Sequence, residues 1–183
     1  AGLDKDGNLI AWRHRIVGQS IMGEAALFGP PQAIDTTSVE GASTLPYSIP
    51  NLAVELHTTK VGVPVQWWRS VGSTHTAFST ECFLDEIARA TGRDPYEFRR
   101  SLLSSKHSRH LAALDLVAEK SGWKNARPKD EVWGLALHES FNSVVAQVAQ
   151  LKRLGDGFKL HKVVCAVDCG LAINPNIVAM QME

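Results

Sequence analysis

The sequence lacks a charge surplus: nineteen Lys and Arg balance nineteen Asp and Glu. That balance argues against a nucleic-acid footprint or a polybasic membrane anchor, since both need an excess of cations. Cysteine is scarce, and the odd set Cys82, Cys165 and Cys169 speaks against a disulfide framework. No second Cys/His pair stands at zinc spacing from Cys165 and Cys169, so both read as buried small apolar residues. No apolar run approaches the roughly 20 residues that span a bilayer. The Walker loop, the G-x-S-x-G nucleophile elbow and the dinucleotide-binding glycine fingerprint are all missing. Seven histidines are present, but only His107 and His110 lie close together, in a polar stretch that reads as solvated. His138-Glu139-Ser140 has no identifiable third partner for acid–base work. By its residues alone, the chain holds no complete catalytic set.

What is present is organised around Trp67-Trp68-Arg69-Ser70-Val71-Gly72 and the hydroxyl-rich run Ser73-Thr74-His75-Thr76. This reads as an aromatic strand end that carries a lone arginine and turns on a glycine into a helix. The guanidinium beside a helix N-terminus suits an anionic group. A helix capped by Ser73, Thr74 or Thr76, with Arg69 as a surface charge, is the plainer alternative.

At 183 residues the length suits one domain or one and a half. Asp4-Lys5-Asp6-Gly7-Asn8 reads as a hairpin tip leading into a strand, Leu9–Val17, whose partner is missing. A loop-like region, 23–46, is long for a compact domain and implies disorder or packing against absent chain. A half-buried strand follows within Tyr47–Thr59. The helical middle has a first helix over Ala77–Ala90, apolar over much of its circumference and therefore expected to be buried on most sides. Asp94-Pro95-Tyr96-Glu97 gives an N-cap, a proline at the first helical position and an acid in the first turn. A third helix starts near Ser108 and closes at Ser121-Gly122. The last third reads as strands at Val132–His138, Val144–Leu151 and Phe158–Val167, the last two joined by Gly155-Asp156-Gly157. Asp168 reads as a turn-forming residue, and Asn174-Pro175 as the start of a helix with no closing signal. The expected class is α+β: mixed or antiparallel strands with a central group of helices. Its parts are strands and a long loop (1–76), a helical middle (77–122), and a hairpin with the start of a further helix (131–183). Both ends read as internal to a longer polypeptide.

Two motifs, in this order, resemble the molybdenum hydroxylases. The first runs from Trp67-Trp68-Arg69-Ser70-Val71-Gly72 through Phe78, Glu81, Asp85-Glu86, Gly92, Asp94-Pro95 and Phe98-Arg99. The second is Asp168-Cys169-Gly170-Leu171-Ala172-Ile173-Asn174-Pro175 through Gln181-Met182-Glu183. Within that family the chain is most similar to the large, molybdopterin-binding subunits of the isoquinoline 1-oxidoreductase type. It shares with them the Trp12-Arg13-His14-Arg15-Ile16-Val17-Gly18-Gln19-Ser20 opening, the Thr37-Ser38-Val39-Glu40-Gly41 loop and His138-Glu139-Ser140-Phe141.

The resemblance implies part of a molybdenum-cofactor-binding domain, with a molybdopterin cytosine dinucleotide in the parent protein. The implied reaction oxidises an N-heteroaromatic or aldehyde substrate with oxygen derived from water. Electrons would leave through a small [2Fe-2S] subunit to an acceptor such as a cytochrome. Arg69, with the backbone of Ser70, Val71 and Gly72, would lie at the molybdenum end, and Gln181 would bond the pterin or its phosphate. The chain itself supplies no catalytic residue, because the base glutamate of the family's G-G-x-G-E pattern is expected beyond Glu183. The isolated chain is therefore expected to be inactive and cofactor-free. A non-catalytic α+β binding or scaffolding domain is the competing reading. Ser70 and Val71 stand where xanthine dehydrogenases are rich in glycine and phenylalanine, which argues against purine-type stacking.

Overall fold

A computed structural model describes residues 1–24 and 34–183. The part of the expected 23–46 loop that covers residues 25–33 lies outside the described residues. The chain forms two compact units, Ala1–Arg93 and Asp94–Glu183. The boundary divides the helical middle between its first and second helices.

The first unit is a three-stranded sheet with a long helix. Strand β1 (Gly2–Leu3) pairs antiparallel with β2 (Leu9–Gln19), and β2 pairs parallel with β3 (Asn51–Thr59) in unbroken register from Ala11↔Asn51 to Gln19↔Thr59. The short helices α1 (Ile21–Glu24) and α2 (Thr36–Val39) lie on the connection from β2 to β3. Part of the expected loop is thus ordered, because Asp35 caps α2. The Asp35 carboxylate accepts from the Thr37 amide at 2.9 Å, the Ser20 hydroxyl at 2.6 Å and the Met22 amide at 3.2 Å. Ile16 of β2 joins Val39 and Ala42 in a small core, with Val54 and Leu56 of β3 against it.

Helix α3 (Ser73–Ala90) begins four residues earlier than its apolar pattern indicates. Leu84, Ile87 and Ala88 are buried, together with Thr76, Thr80 and Glu81. The buried polar residues turn inward because they have partners: the Tyr47 hydroxyl donates to Glu81 Oε1 at 2.8 Å. Burial on most sides does not hold, since Phe78 is 73% exposed and Cys82 is also exposed.

The second unit packs helices on an antiparallel meander. Helix α4 (Pro95–Leu102) starts as its sequence indicates: Asp94 accepts from the amides of Tyr96 and Glu97 at 2.9 and 3.2 Å, with Pro95 at the first position. The same carboxylate accepts from the buried Trp123 indole at 3.0 Å. Helix α5 (Ser108–Ser121) ends on Gly122 in the left-handed conformation, φ 72°. Strands β4 (Glu131–Ser140), β5 (Ser143–Leu154) and β6 (Gly157–Asp168) follow in spatial order 4-5-6. Each runs beyond its sequence-based limits, since pairing along a neighbour continues past the last apolar residue. Leu135, Leu137, Val144, Ala146, Val148 and Ala166 form the buried sheet face, and α5 contributes Ala113, Leu114, Val117 and Ala118 to the core. Cys165 and Cys169 are half-buried and unlinked, where full burial was expected. Helix α6 (Pro175–Met182) is capped by Asn174, with Pro175 at its first position, and has no buried residue.

Asp94 caps one helix and satisfies one buried indole. Asp94→Ala removes the cap and orphans Trp123, so unfolding free energy should fall by about 2–4 kcal/mol. Urea unfolding monitored by tryptophan fluorescence checks this.

Candidate functional site

The arginine stretch is not a strand end: no strand forms between Thr59 and α3. The chain instead closes a turn in which the Val71 amide donates to the Trp68 carbonyl at 2.9 Å. Ser70 and Val71 both take positive φ, 74° and 47°. Left-handed backbone costs a residue with a Cβ roughly 1–2 kcal/mol, so this turn is held by its surroundings. Gly72, expected to supply the turn, is already helical at φ −65° and serves as the N-cap of α3. Glycine is required there because an added Cβ would run into the Thr37 carbonyl and the Glu40 side chain.

Glu40 secures the same point. Its Oε1 accepts from the Gly72 amide at 2.8 Å and the Ser73 amide at 3.3 Å. Its carbonyl accepts from the Thr76 hydroxyl at 2.7 Å, and the Thr74 hydroxyl donates to the Arg69 carbonyl at 2.9 Å. The helix start is therefore capped by a carboxylate 32 residues upstream and not by Ser73, Thr74 or Thr76. Glu40 lies in the Thr37–Gly41 stretch, but nothing in its local spacing ties it to α3.

This geometry tests which donors suit an oxygen-rich group. The amides of Val71, Gly72 and Ser73 are already used within the chain. Arg69 and Ser70 are exposed beside Trp67 and Trp68, so their guanidinium and hydroxyl fit such a group. Gln181 belongs to the second unit, exposed on α6.

The second unit has a polar junction that sequence reasoning missed. Arg109 donates to both carboxylate oxygens of Asp168, at 3.0 and 3.1 Å, and to the Asp168 carbonyl at 2.9 Å. It also donates to the Asn142 side chain at 3.1 Å and the Asn142 carbonyl at 3.0 Å. Phe141 and Asn142 form the β4–β5 turn with φ 49° and 59°, which suits asparagine better than phenylalanine. Asp168 also closes the expected turn by accepting from the Gly170 amide at 2.9 Å. The adjacent His110 is buried at 6% exposure, not solvated. Its Nε2 stands 3.0 Å from Glu139 Oε2, a close charged contact between α5 and β4. Burial lowers the His110 pKa, with Glu139 opposing that shift. Glu139 thus has a histidine neighbour that its own tripeptide does not reveal.

Two outcomes follow. Gly72→Ala should cost about 1–3 kcal/mol of stability through overpacking, read as a fall in melting temperature. The Arg109 hydrogen bonds hold the Asp168 carboxyl below its ordinary range, with the Gly170 amide acting in the same direction. A depressed carboxyl pKa adds stability that is complete above the unfolded value of about 3.9 and is lost as pH falls through the folded value. Asp168→Asn should therefore flatten the stability profile below about pH 4, as followed by urea unfolding across an acid series.

Comparison with known proteins agrees with the resemblance drawn from the motifs. Residues 1–103 match the family model of the molybdopterin cofactor-binding domain. Over 191 aligned residues the chain is 31% identical to the beta subunit of isoquinoline 1-oxidoreductase from Brevundimonas diminuta, covering all of this chain and 24% of that protein. It is 30% identical to the membrane-bound aldehyde dehydrogenase [pyrroloquinoline-quinone] of Gluconacetobacter polyoxogenes, over 64% of this chain and 18% of that protein. One nicotinate dehydrogenase subunit, from Pseudomonas putida, is 28% identical, over 75% of this chain and 13% of its own length. The chain thus spans a quarter or less of each of these relatives. With more than half of its length inside the family's bounds, it belongs to the molybdopterin cofactor-binding domain family of the molybdenum hydroxylases.

Proposed function

We propose that residues 1–183 are part of the large subunit of a molybdenum hydroxylase acting on an N-heteroaromatic or aldehyde substrate. Two of the three relatives are named for ring-nitrogen compounds and one for aldehydes, which supports that substrate class. Two are named as subunits, which supports a partner; the reading takes it to be a small [2Fe-2S] protein that passes electrons to an acceptor such as a cytochrome. The cofactor in this reading is molybdopterin cytosine dinucleotide, which supplies the two-electron redox chemistry while the protein supplies binding and orientation.

The observation that carries the reading is the strained turn at Ser70 and Val71, next to the arginine of the first motif and followed by two amides that Glu40 holds. Strain held at one place by long-range bonds is a signature of positioned function. Arg69 would donate its guanidinium to cofactor oxygens, and the Ser70 hydroxyl would add a second donor. Val71 and Gly72 would set the backbone path that aims both. Gln181 would offer its amide to the pterin or its phosphate. The base glutamate belongs to sequence beyond Glu183, so the 183-residue chain alone should show neither turnover nor bound cofactor.

The test uses the full-length polypeptide. Purified protein should carry molybdenum and release cytidylate on acid hydrolysis; a preparation with neither returns the chain to a non-catalytic α+β binding or scaffolding role. A charged hydrogen bond contributes about 1.5–3 kcal/mol. Arg69→Ala should therefore weaken cofactor retention roughly ten- to a hundredfold. In the 183-residue chain the same substitution should shift stability by no more than about 1 kcal/mol, the range for an exposed charged contact.

A further inference from the structure

Strand β2 is paired unequally on its two sides. β3 follows one edge from Ala11 to Gln19, whereas β1 covers the other only at Leu9 and Ala11. From Trp12 onward that second edge has no strand partner among the described residues. Two cavities are lined by this part of β2. The first, about 380 Å³, is lined by the four successive residues Trp12–Arg15 and by Phe78, Cys82 and Glu86 of α3. The second, about 450 Å³, is lined by Ile16–Gln19, by Ser38 of α2, by Val65 and Gln66, and by Val71, Gly72 and His75 at the start of α3. The stretch of β2 that lines the two cavities, Trp12–Gln19, is the stretch that β1 leaves unpaired.

We infer that this groove between the β2 edge and α3 receives an extended segment of the same polypeptide, the one leading into Gly2, as an antiparallel strand. The inference rests on the reading that the chain is part of a longer subunit. Register supplies the direction. With Gly2 opposite Ala11 in an antiparallel pair, a strand extended back from Gly2 passes Trp12 and runs toward Gly18. Six or seven residues at about 3.3 Å each span roughly 20 Å, and the 18-residue α3 is about 27 Å long. The groove wall is therefore long enough for the strand.

Three observations show that the groove is made for an occupant. Trp12 is 3% exposed, yet its indole N–H has no acceptor among the described residues, and His14 Nδ1 likewise has no partner among them. Buried polar groups of this kind are ordinarily satisfied, and a strand beside them brings carbonyl oxygens and side-chain acceptors. Phe78 stands 73% exposed on the α3 wall, an apolar cover waiting for side chains of alternate residues. Gly18 has nothing within 4 Å of a Cβ position, and a glycine inside a strand marks a place where another backbone can come close. A second copy of this chain fits poorly, because its own β2 edge is flanked by its own α3. A single strand has no such obstruction.

Hydrogen exchange and Cys82 alkylation by a maleimide, compared between the 183-residue chain and the full-length polypeptide, test the inference. In the short chain, the edge-directed amides of Trp12–Gly18 should exchange quickly and Cys82 should label within minutes. In the full-length protein, both should slow by at least about a hundredfold, and the peptide preceding Ala1 should be protected with them. Equal rates in the two proteins overturn the inference. A protected thiol over rapidly exchanging amides also overturns it, since the cover is then not a strand. Protection in the short chain, accompanied by a dimer in light scattering, assigns the groove to a second copy and overturns it too. Molybdenum measured in the same full-length sample separates the two ideas. Protection without metal sinks only the hydroxylase reading, and metal without protection sinks only the strand.

Discussion

The carboxylate of Glu40 at the start of α3 is the contact on which the first unit depends. It answers two backbone amides that the helix cannot bond internally, and it places negative charge at the positive end of the helix dipole. Its own position follows from Asp35, whose capping of α2 brings residues 36–40 to Gly72. Two acidic residues in an irregular stretch thus form a relay, one starting a short helix and the other seating a long one. Once α3 is seated, Thr76 and Glu81 reach their partners, and Phe83 meets the Trp12 ring edge-on at 5.0 Å. The Arg69–Gly72 turn is closed by its own Val71-to-Trp68 bond and anchored at its end by this assembly.

Arg109 does comparable work in the second unit with the opposite charge. Its planar fork joins the start of α5 to the β4–β5 turn and to the end of β6. A lysine could not serve all these acceptors, because an ammonium lacks the five coplanar donors. The turn that it grips carries Phe141 at positive φ, 76% exposed. Thus each unit contains a strained non-glycine turn fixed by a charged side chain from distant sequence.

Local signals in the sequence were legible where the physics is local. Asp94-Pro95 and Asn174-Pro175 mark helix starts, and Gly122 marks a helix end, because cap and orphan group lie within one turn of each other. The β5–β6 hairpin was likewise readable from Gly155-Asp156-Gly157. The α+β class followed from the change in apolar period between the middle and the last third. What escaped was every contact whose partners are far apart in sequence. The tie from Glu40 to α3, the Arg109 junction and the parallel pairing of β2 with β3 leave no periodic trace. His110 looked solvated because its neighbours in sequence are polar, while its burial comes from the fold. At the candidate site, Arg69 stood out through a motif, whereas the strain at Ser70 and Val71 is a property of backbone angles that no residue type announces.

The parallel register of β2 and β3 also bears on how the protein assembles. Residues that meet in this pair stand 40 apart in sequence, so a large loop must close before the ladder begins to form. The second unit is a meander whose neighbouring strands are joined by tight turns, with local contacts that form early. During synthesis the first unit emerges first, yet its topology is the slower to complete. Until β3 arrives, the β2 edge that it will cover is open, and an unpaired edge is a template for association with other chains. Arg13 and Arg15, which share Glu55 in the finished sheet, are unneutralised during that interval. Two adjacent cations on an open strand act as gatekeepers against self-association, a task finished when folding brings Glu55 alongside.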